Sequence, residues 1–149
     1  MSHLLHLAGP SDLERVLPMV ARFHEETGIE SDAAHREAAV RPLLEGSPIG
    51  AIWFIGPKMA PVGYLFVSFG WSLELGGMDG FIDELWIREK VRGRGMGSEA
   101  LAALQEALRE AGVRALHLEV GLENPRAEKL YQSAGFQKRP SKLMTWHAD

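Results

Sequence analysis

Arg92-Gly93-Arg94-Gly95-Met96-Gly97 is the run whose residue types and spacing point most directly to chemistry. Three glycines alternate with long side chains, and a helical pattern follows. Glycine tolerates positive φ and lets a ligand approach the backbone closely. A helix start adds unpaired N–H groups and the positive end of the helix dipole. Together these make an anion site, most naturally for phosphate, and Arg92 and Arg94 add charge. The run is not a P-loop, because no Gly-Lys-Ser/Thr closes the turn. Gly95 to Ala100 also satisfies the dinucleotide pattern G-x-G-x-x-A, with Glu119 about 20 residues on. Two features count against that fold. The charged run Arg88 to Arg94 separates the preceding strand from the turn, and only 52 residues follow Gly97. A solvated glycine-rich turn is the bland alternative.

The elements that must position this turn can be read from periodicity. Residues 3–8 suggest a short first strand. Ser11 and Glu14 have capping-box spacing, ahead of Leu13, Val16, Leu17, Val20 and Phe23 at helical intervals. Pro18 lies inside that helix, and Gly28 ends it. A second helix is expected over about 32–45, broken by Pro42 and Gly46. Segments 51–56, 62–69 and 81–87 are rich in β-branched and aromatic residues and read as an antiparallel meander. After the glycine turn, Leu101, Leu104, Leu108 and Ala111 share a helical stripe that ends at Gly112. Residues 115–120 read as a buried strand, Asn124-Pro125 opens a short helix closed by Gly135, and 136–147 read as one or two final strands. The strand–helix–strand unit at 81–120 should be parallel and right-handed. The expectation is one α+β (mixed α/β) domain over 1–149. Its mostly antiparallel sheet has six to seven strands, one parallel pair and about four helices.

Two motifs, at this separation, resemble the GNAT superfamily of acetyl-CoA-dependent N-acetyltransferases. The first is Arg/Gln-x-x-Gly-x-Gly/Ala after a strand with an aliphatic end, here Arg92 to Gly97 after Ile87. The second is Asn-x-x-Ala-x-x-Leu-Tyr-x-x-x-Gly-Phe, matched by Asn124, Ala127, Leu130, Tyr131, Gly135 and Phe136. The element order agrees with that fold over nearly the whole chain. Glu89 stands where many members have proline, and Phe81 stands where the histone-type branch carries its glutamate. The resemblance implies that the pyrophosphate of coenzyme A sits on Arg92, Gly93, Arg94, Gly95, Met96, Gly97 and Ser98. It implies a pantetheine arm along Leu85, Trp86 and Ile87, with Asn124 and Tyr131 completing the coenzyme site. The strand at 81–87 is then splayed from 115–120, with the thioester carbonyl in the gap. An amide-bearing arm also suits an open strand edge on general grounds.

Direct acetyl transfer needs a neutral amine, a base for the ammonium proton and an acid for the leaving thiolate. By resemblance Tyr131 is the acid, its alternative being a packed aromatic after Leu130. Glu119, twelve residues before Tyr131, matches the base position of the ribosomal-protein N-terminal acetyltransferases. Asp83 matches an acidic strand position of polyamine and aminoglycoside acetyltransferases. Alternation puts Asp83 with Leu85 and Ile87 on one strand face, and Glu84 with Trp86 on the other. Glu119 shares a face with His117. For each carboxylate the alternative is a solvated or salt-bridged residue, and a water chain needs no dedicated base. The six histidines show no metal spacing, so no metal is expected.

The composition sets outer bounds. A net charge of −4 argues against a nucleic-acid partner held through phosphates. The absence of cysteine excludes disulfides, thiolate metal sites and a cysteine nucleophile. No signal-like segment and no run of roughly 18 apolar residues is present, so a soluble cytoplasmic protein without membrane contact is expected. Acidic residues at Glu25, Glu26, Glu30, Asp32, Glu74, Asp79 and Asp83 lean towards a small cationic acceptor, with a protein N-terminus or lysine as the other choice. A homodimer through an apolar edge at 136–147 is expected. The competing function is a non-catalytic acyl-CoA-binding module of the same fold.

Overall fold

The computed structural model describes residues 4–149, so the part of the first strand expected at His3 lies outside the described residues. The chain divides into two compact units, one ending at Glu119 and one spanning Val120–Asp149, and each is described by itself. The first holds strands β1 (Leu5–Leu7), β2 (Gly50–Ile55), β3 (Gly63–Ser72), β4 (Gly77–Ile87) and β5 (Ala115–His117). It also holds helices α1 (Leu13–Thr27), α2 (Ala33–Leu44) and α3 (Met96–Glu110). The strands lie in sequence order. The first three pairings are antiparallel, and β4 and β5 are parallel. The second unit holds α4 (Pro125–Ser133). The α+β architecture with one parallel pair is therefore present.

The described sheet has five strands rather than six or seven. β5 stops at His117 instead of running to Val120, because its partner β4 carries a bulge just beyond the last pair, Phe81–His117. Residues 136–147 form no strand. Lys138, Arg139 and Lys142 bring like charges together there, Pro140 removes a ladder donor, and Leu143, Met144 and Trp146 are exposed.

Helix starts also differ from expectation. Asp12, not Ser11, organises the entry to α1: its carboxylate accepts from the Gly9 N–H at 2.8 Å and from Arg15 at 2.9 Å. A charged acceptor outcompetes a hydroxyl for those donors. Both Pro18 and Pro42 sit on exposed helix faces. The helices run through them, since water can satisfy a carbonyl freed on the solvent side.

Two side-chain layers sandwich the sheet. Ile52, Phe54, Tyr64 and Trp86 pack with Val16 and Val20 of α1 and Val40 and Leu44 of α2. Ile55, Leu65, Val67 and Ile82 are buried on the opposite face, where α3 buries Ala100, Leu101, Leu104 and Leu108. Close contact between β3 and β4 depends on Gly63, where a Cβ would stand 2.1 Å from the Trp86 carbonyl oxygen. Gly63→Ala should therefore cost about 1–3 kcal/mol or more, as overpacking does. A urea midpoint unchanged from the wild type would contradict this.

The bulge sets which way the site residues face. Phe66 pairs with Glu84 and Val67 with Ile82, leaving Asp83 as the extra residue. Regular alternation would put Asp83 on the Leu85 and Ile87 side. Instead it shares the face of Glu84, and its Oδ2 accepts from the Ser68 hydroxyl at 2.6 Å.

Candidate active site

The glycine run forms a bent entry to α3. Gly93 and Gly95 both have φ of 79°, and Gly95 is the N-cap residue, with no side chain capping the helix. The first backbone bond of the helix runs from Glu99 N–H to Gly95 C=O at 3.1 Å. The N–H groups of Met96, Gly97 and Ser98 precede it and point to the helix N-terminal side. A Cβ at Gly93 or Gly95 would meet nothing within 4 Å, so the space above the turn is open. These donors, with the dipole and exposed Arg94, fit a pyrophosphate.

Arg92, expected at the phosphate site, is bonded within the protein. Its Nε donates to the Ile87 carbonyl at 2.6 Å, and its guanidinium pairs with Glu26 of α1 at 2.5 Å. The Trp86 indole donates to the same carboxylate at 3.2 Å. Arg92 thus ties the end of β4 and the turn to α1. These bonds, led by that from Arg92, hold the Glu26 carboxyl below its ordinary value. The ionised form is favoured by folding, so its contribution is present above the unfolded value of about 4.3 and is lost as pH falls through the folded one. Glu26→Gln should flatten that part of the acid-unfolding curve. An acid limb identical to the wild type's would remove Glu26 from it.

Leu85, Trp86 and Ile87 end β4, with Trp86 buried. The parallel ladder stops at Phe81–His117, so no β5 residue pairs with β4 from Ile82 onward. That open edge can accept an extended, amide-bearing chain.

The face of β4 under α1 is acidic and internally bonded. Glu84 Oε1 accepts from the Tyr64 phenol at 2.7 Å and Oε2 from His24 Nε2 at 2.8 Å. His24 Nδ1 in turn meets the Ser31 hydroxyl at 2.8 Å, and Arg36 donates to Ser31. Burial, with the Glu84 charge, pushes the Tyr64 phenol far up, so it stays a donor. Further along the same face, a cavity of about 220 Å³ is lined by Ser68, Gly70, Asp79, Phe81 and His117. There His117 Nε2 meets Asp79 Oδ2 at 3.1 Å. Glu119, expected beside His117 on a strand, lies beyond the end of β5 and is exposed. A larger cavity of about 420 Å³, between Gln105 on α3 and Leu116, contains none of the expected site residues.

In the second unit, Asn124 caps α4 by accepting from the Ala127 N–H at 3.1 Å. Its side chain is thus used locally. The Tyr131 ring packs edge-on against Phe136 at 6.0 Å between centroids. Burial raises the Tyr131 phenol above its ordinary value.

Three groupings were not expected from the sequence: Glu26 with Arg92, Glu84 with His24 and Tyr64, and Asp79 with His117. His24 had a readable signal, lying four residues after Val20 and eight after Val16 on the inward stripe of α1. Asp79 and His117 had none, because only the pairing of β4 with β5 joins them.

An open strand edge leads into an uncapped, glycine-bent helix start, an arrangement suited to an extended, anion-bearing ligand. The chain belongs to the GNAT acetyltransferase family, whose model matches residues 14–136. It is 43% identical over 60 residues to the uncharacterized N-acetyltransferase YycN of Bacillus subtilis, covering 40% of this chain and 38% of that relative. Its fold is similar to the integron cassette protein HFX_CASS3 from a salt-marsh metagenome, with TM-score 0.86 and 28% identity, over 98% of this chain and 91% of that one. It also superposes on the aminoglycoside N-acetyltransferase AAC(6')-Iy, solved in complex with CoA. There the TM-score is 0.80 at 15% identity, over 97% and 94% of the two chains, a likeness of fold alone. No helix among the described residues is long and apolar enough to cross a membrane.

Proposed function

We propose that this acetyltransferase moves the acetyl group of acetyl-CoA directly to a primary amine of a small cationic acceptor. The donor half of the reading is supported by the uncapped start of α3, which offers backbone donors where a pyrophosphate would lie, beside a strand edge suited to the pantetheine arm. One observation carries the acceptor half. The bulge turns Asp83 onto the face that already holds Asp79 and Glu84, so three carboxylates line one side of β4. Such a wall favours a cation and disfavours an acidic or neutral acceptor.

In this reading Leu85, Trp86 and Ile87 guide the arm, while Gly93 to Ser98 bind the pyrophosphate. Tyr131, kept protonated by burial, gives its proton to the leaving thiolate. Asp83 draws the ammonium inward. Glu119, the other base expected from the sequence, is less suited in its exposed position. Exposed Leu143, Met144 and Trp146 support pairing of two copies, without the strand edge first expected there.

The experiment is a screen of spermidine, L-lysine, kanamycin and an alanine-terminated peptide with acetyl-CoA, followed by free thiol release. Turnover restricted to the polycationic small molecules supports the reading. Turnover of the peptide alone moves the acceptor to protein N-termini. Acetyl-CoA binding without turnover of any amine leaves the non-catalytic binding module.

A further inference from the structure

We infer that His117, oriented by Asp79, is the group that takes the proton from the acceptor amine. The inference rests on the acetyl-transfer reading above and assigns it a base that the sequence motifs do not indicate. Four observations carry it. His117 forms the last pair of the parallel ladder with Phe81, so it stands where β4 and the following chain part company. Its ring lines the cavity on the carboxylate-bearing face of the sheet. Its Nε2 is bonded to Asp79 Oδ2 at 3.1 Å. Among the described residues no protein group is bonded to its Nδ1.

The chemistry follows from the bond. A carboxylate only accepts, so Nε2 must carry the hydrogen, and the neutral ring presents its lone pair at Nδ1. Asp79 also offsets the positive charge that develops when Nδ1 is protonated. Asp79 is thus a positioning residue for His117. Other charged groups nearby are Asp83, engaged by Ser68 on the same face, and Glu119, two residues beyond on the exposed chain. β3 contributes only Ser68, Phe69 and Gly70 to this cavity. Arg114, before β5, lies against Gly77.

One ammonium proton of the acceptor passes to His117 Nδ1, and the freed lone pair forms a C–N bond at the thioester carbonyl. The C–S bond breaks and its electron pair stays on sulfur. Tyr131 protonates the thiolate to the thiol, a second proton from nitrogen restores the phenol and leaves the neutral amide, and the imidazolium then releases its proton to water.

The test combines a spectroscopic and a kinetic arm. In ligand-free protein carrying nitrogen-15 histidine, the His117 resonances, identified by their loss in His117→Gln, should show hydrogen on Nε2. Asp79→Asn should abolish that preference. With an amine from the screen above, His117→Gln should lower kcat by about 10²-fold, with acetyl-CoA affinity by calorimetry unchanged. Asp79→Asn, which keeps the imidazole, should lower kcat by a smaller factor and stands in if His117→Gln does not fold. The deficit should shrink as pH rises towards the amine's own value of about 10, where the acceptor needs less help. Hydrogen on Nδ1 in the wild type, or kcat retained in His117→Gln, overturns the assignment while leaving the functional reading intact. A wild type that binds acetyl-CoA and acetylates no amine overturns the functional reading and this assignment with it.

Discussion

Gly95→Val should bind acetyl-CoA at least about 100-fold more weakly than the wild type while remaining folded. The fold should survive because a Cβ at this position meets nothing within 4 Å. The conformation is the difficulty. Gly95 has φ of 79°, a left-handed geometry that costs an L-residue about 1–2 kcal/mol and a β-branched one more. Relief of that strain rotates the turn and takes the first N–H groups of α3 out of convergence. Where the turn holds, the new methyls fill the space needed by the anion. Several charge-assisted bonds, each worth about 1.5–3 kcal/mol, are then lost together. Calorimetry with acetyl-CoA, beside a thermal melt to confirm folding, reads the result. Wild-type affinity in a folded Gly95→Val would remove the turn from the coenzyme site. Gly95→Ala should fall between the two, because it carries the strain with less bulk.

Tyr131→Phe separates chemistry from packing. The ring against Phe136 is kept, so stability should change little. If the phenol protonates the leaving thiolate, kcat should fall towards the low end of the roughly 10²–10⁴-fold range for general acids, with coenzyme affinity nearly intact. Burial holds the phenol above its ordinary value. Activity that depends on it should therefore persist into alkaline solution, then decline as the phenol ionises. The same sign applies to stability, which the protonated buried ring supports below the unfolded value and which is lost as pH rises through the folded one. Single-turnover kinetics with chemistry rate-limiting provides the check. An unchanged rate leaves Tyr131 as a packing residue.

Elements governed by local rules were legible in the sequence. Gly28 ends α1, the α3 stripe lies at 101, 104 and 108, and Asn124 caps α4 as its spacing suggests. The glycine turn was legible too, because few residues other than glycine serve where φ is positive. What could not be read depends on pairing across distance. Pro42 did not break α2, because exposure decides whether a lost helix bond is costly. The ends of the strand at 115–120 depend on where β4 turns away, which no residue in that segment encodes. The carboxylates of β4 were sorted by strict alternation, which is sound only for a strand with one residue per partner. Arg92 is readable from its charge and its place in the motif, but its partner, Glu26, is 66 positions away.

The bulge in β4 makes chain length, as well as residue type, a variable that sets the charge of the wall. On either side of Asp83 the strand keeps a regular two-residue phase, and the extra residue shifts one half against the other. Excision of Asp83 alone would leave Phe66 opposite Glu84 and Val67 opposite Ile82, as they are now. Every other side chain would stay on its own side, and the pocket would lose one negative charge in a single step. Asp83→Asn would remove the same charge, but any residue placed at the insertion still occupies the gap and still bends the strand. The charge of this face can therefore change by insertion and deletion within a strand, a kind of change that elsewhere in a sheet would turn the core inside out.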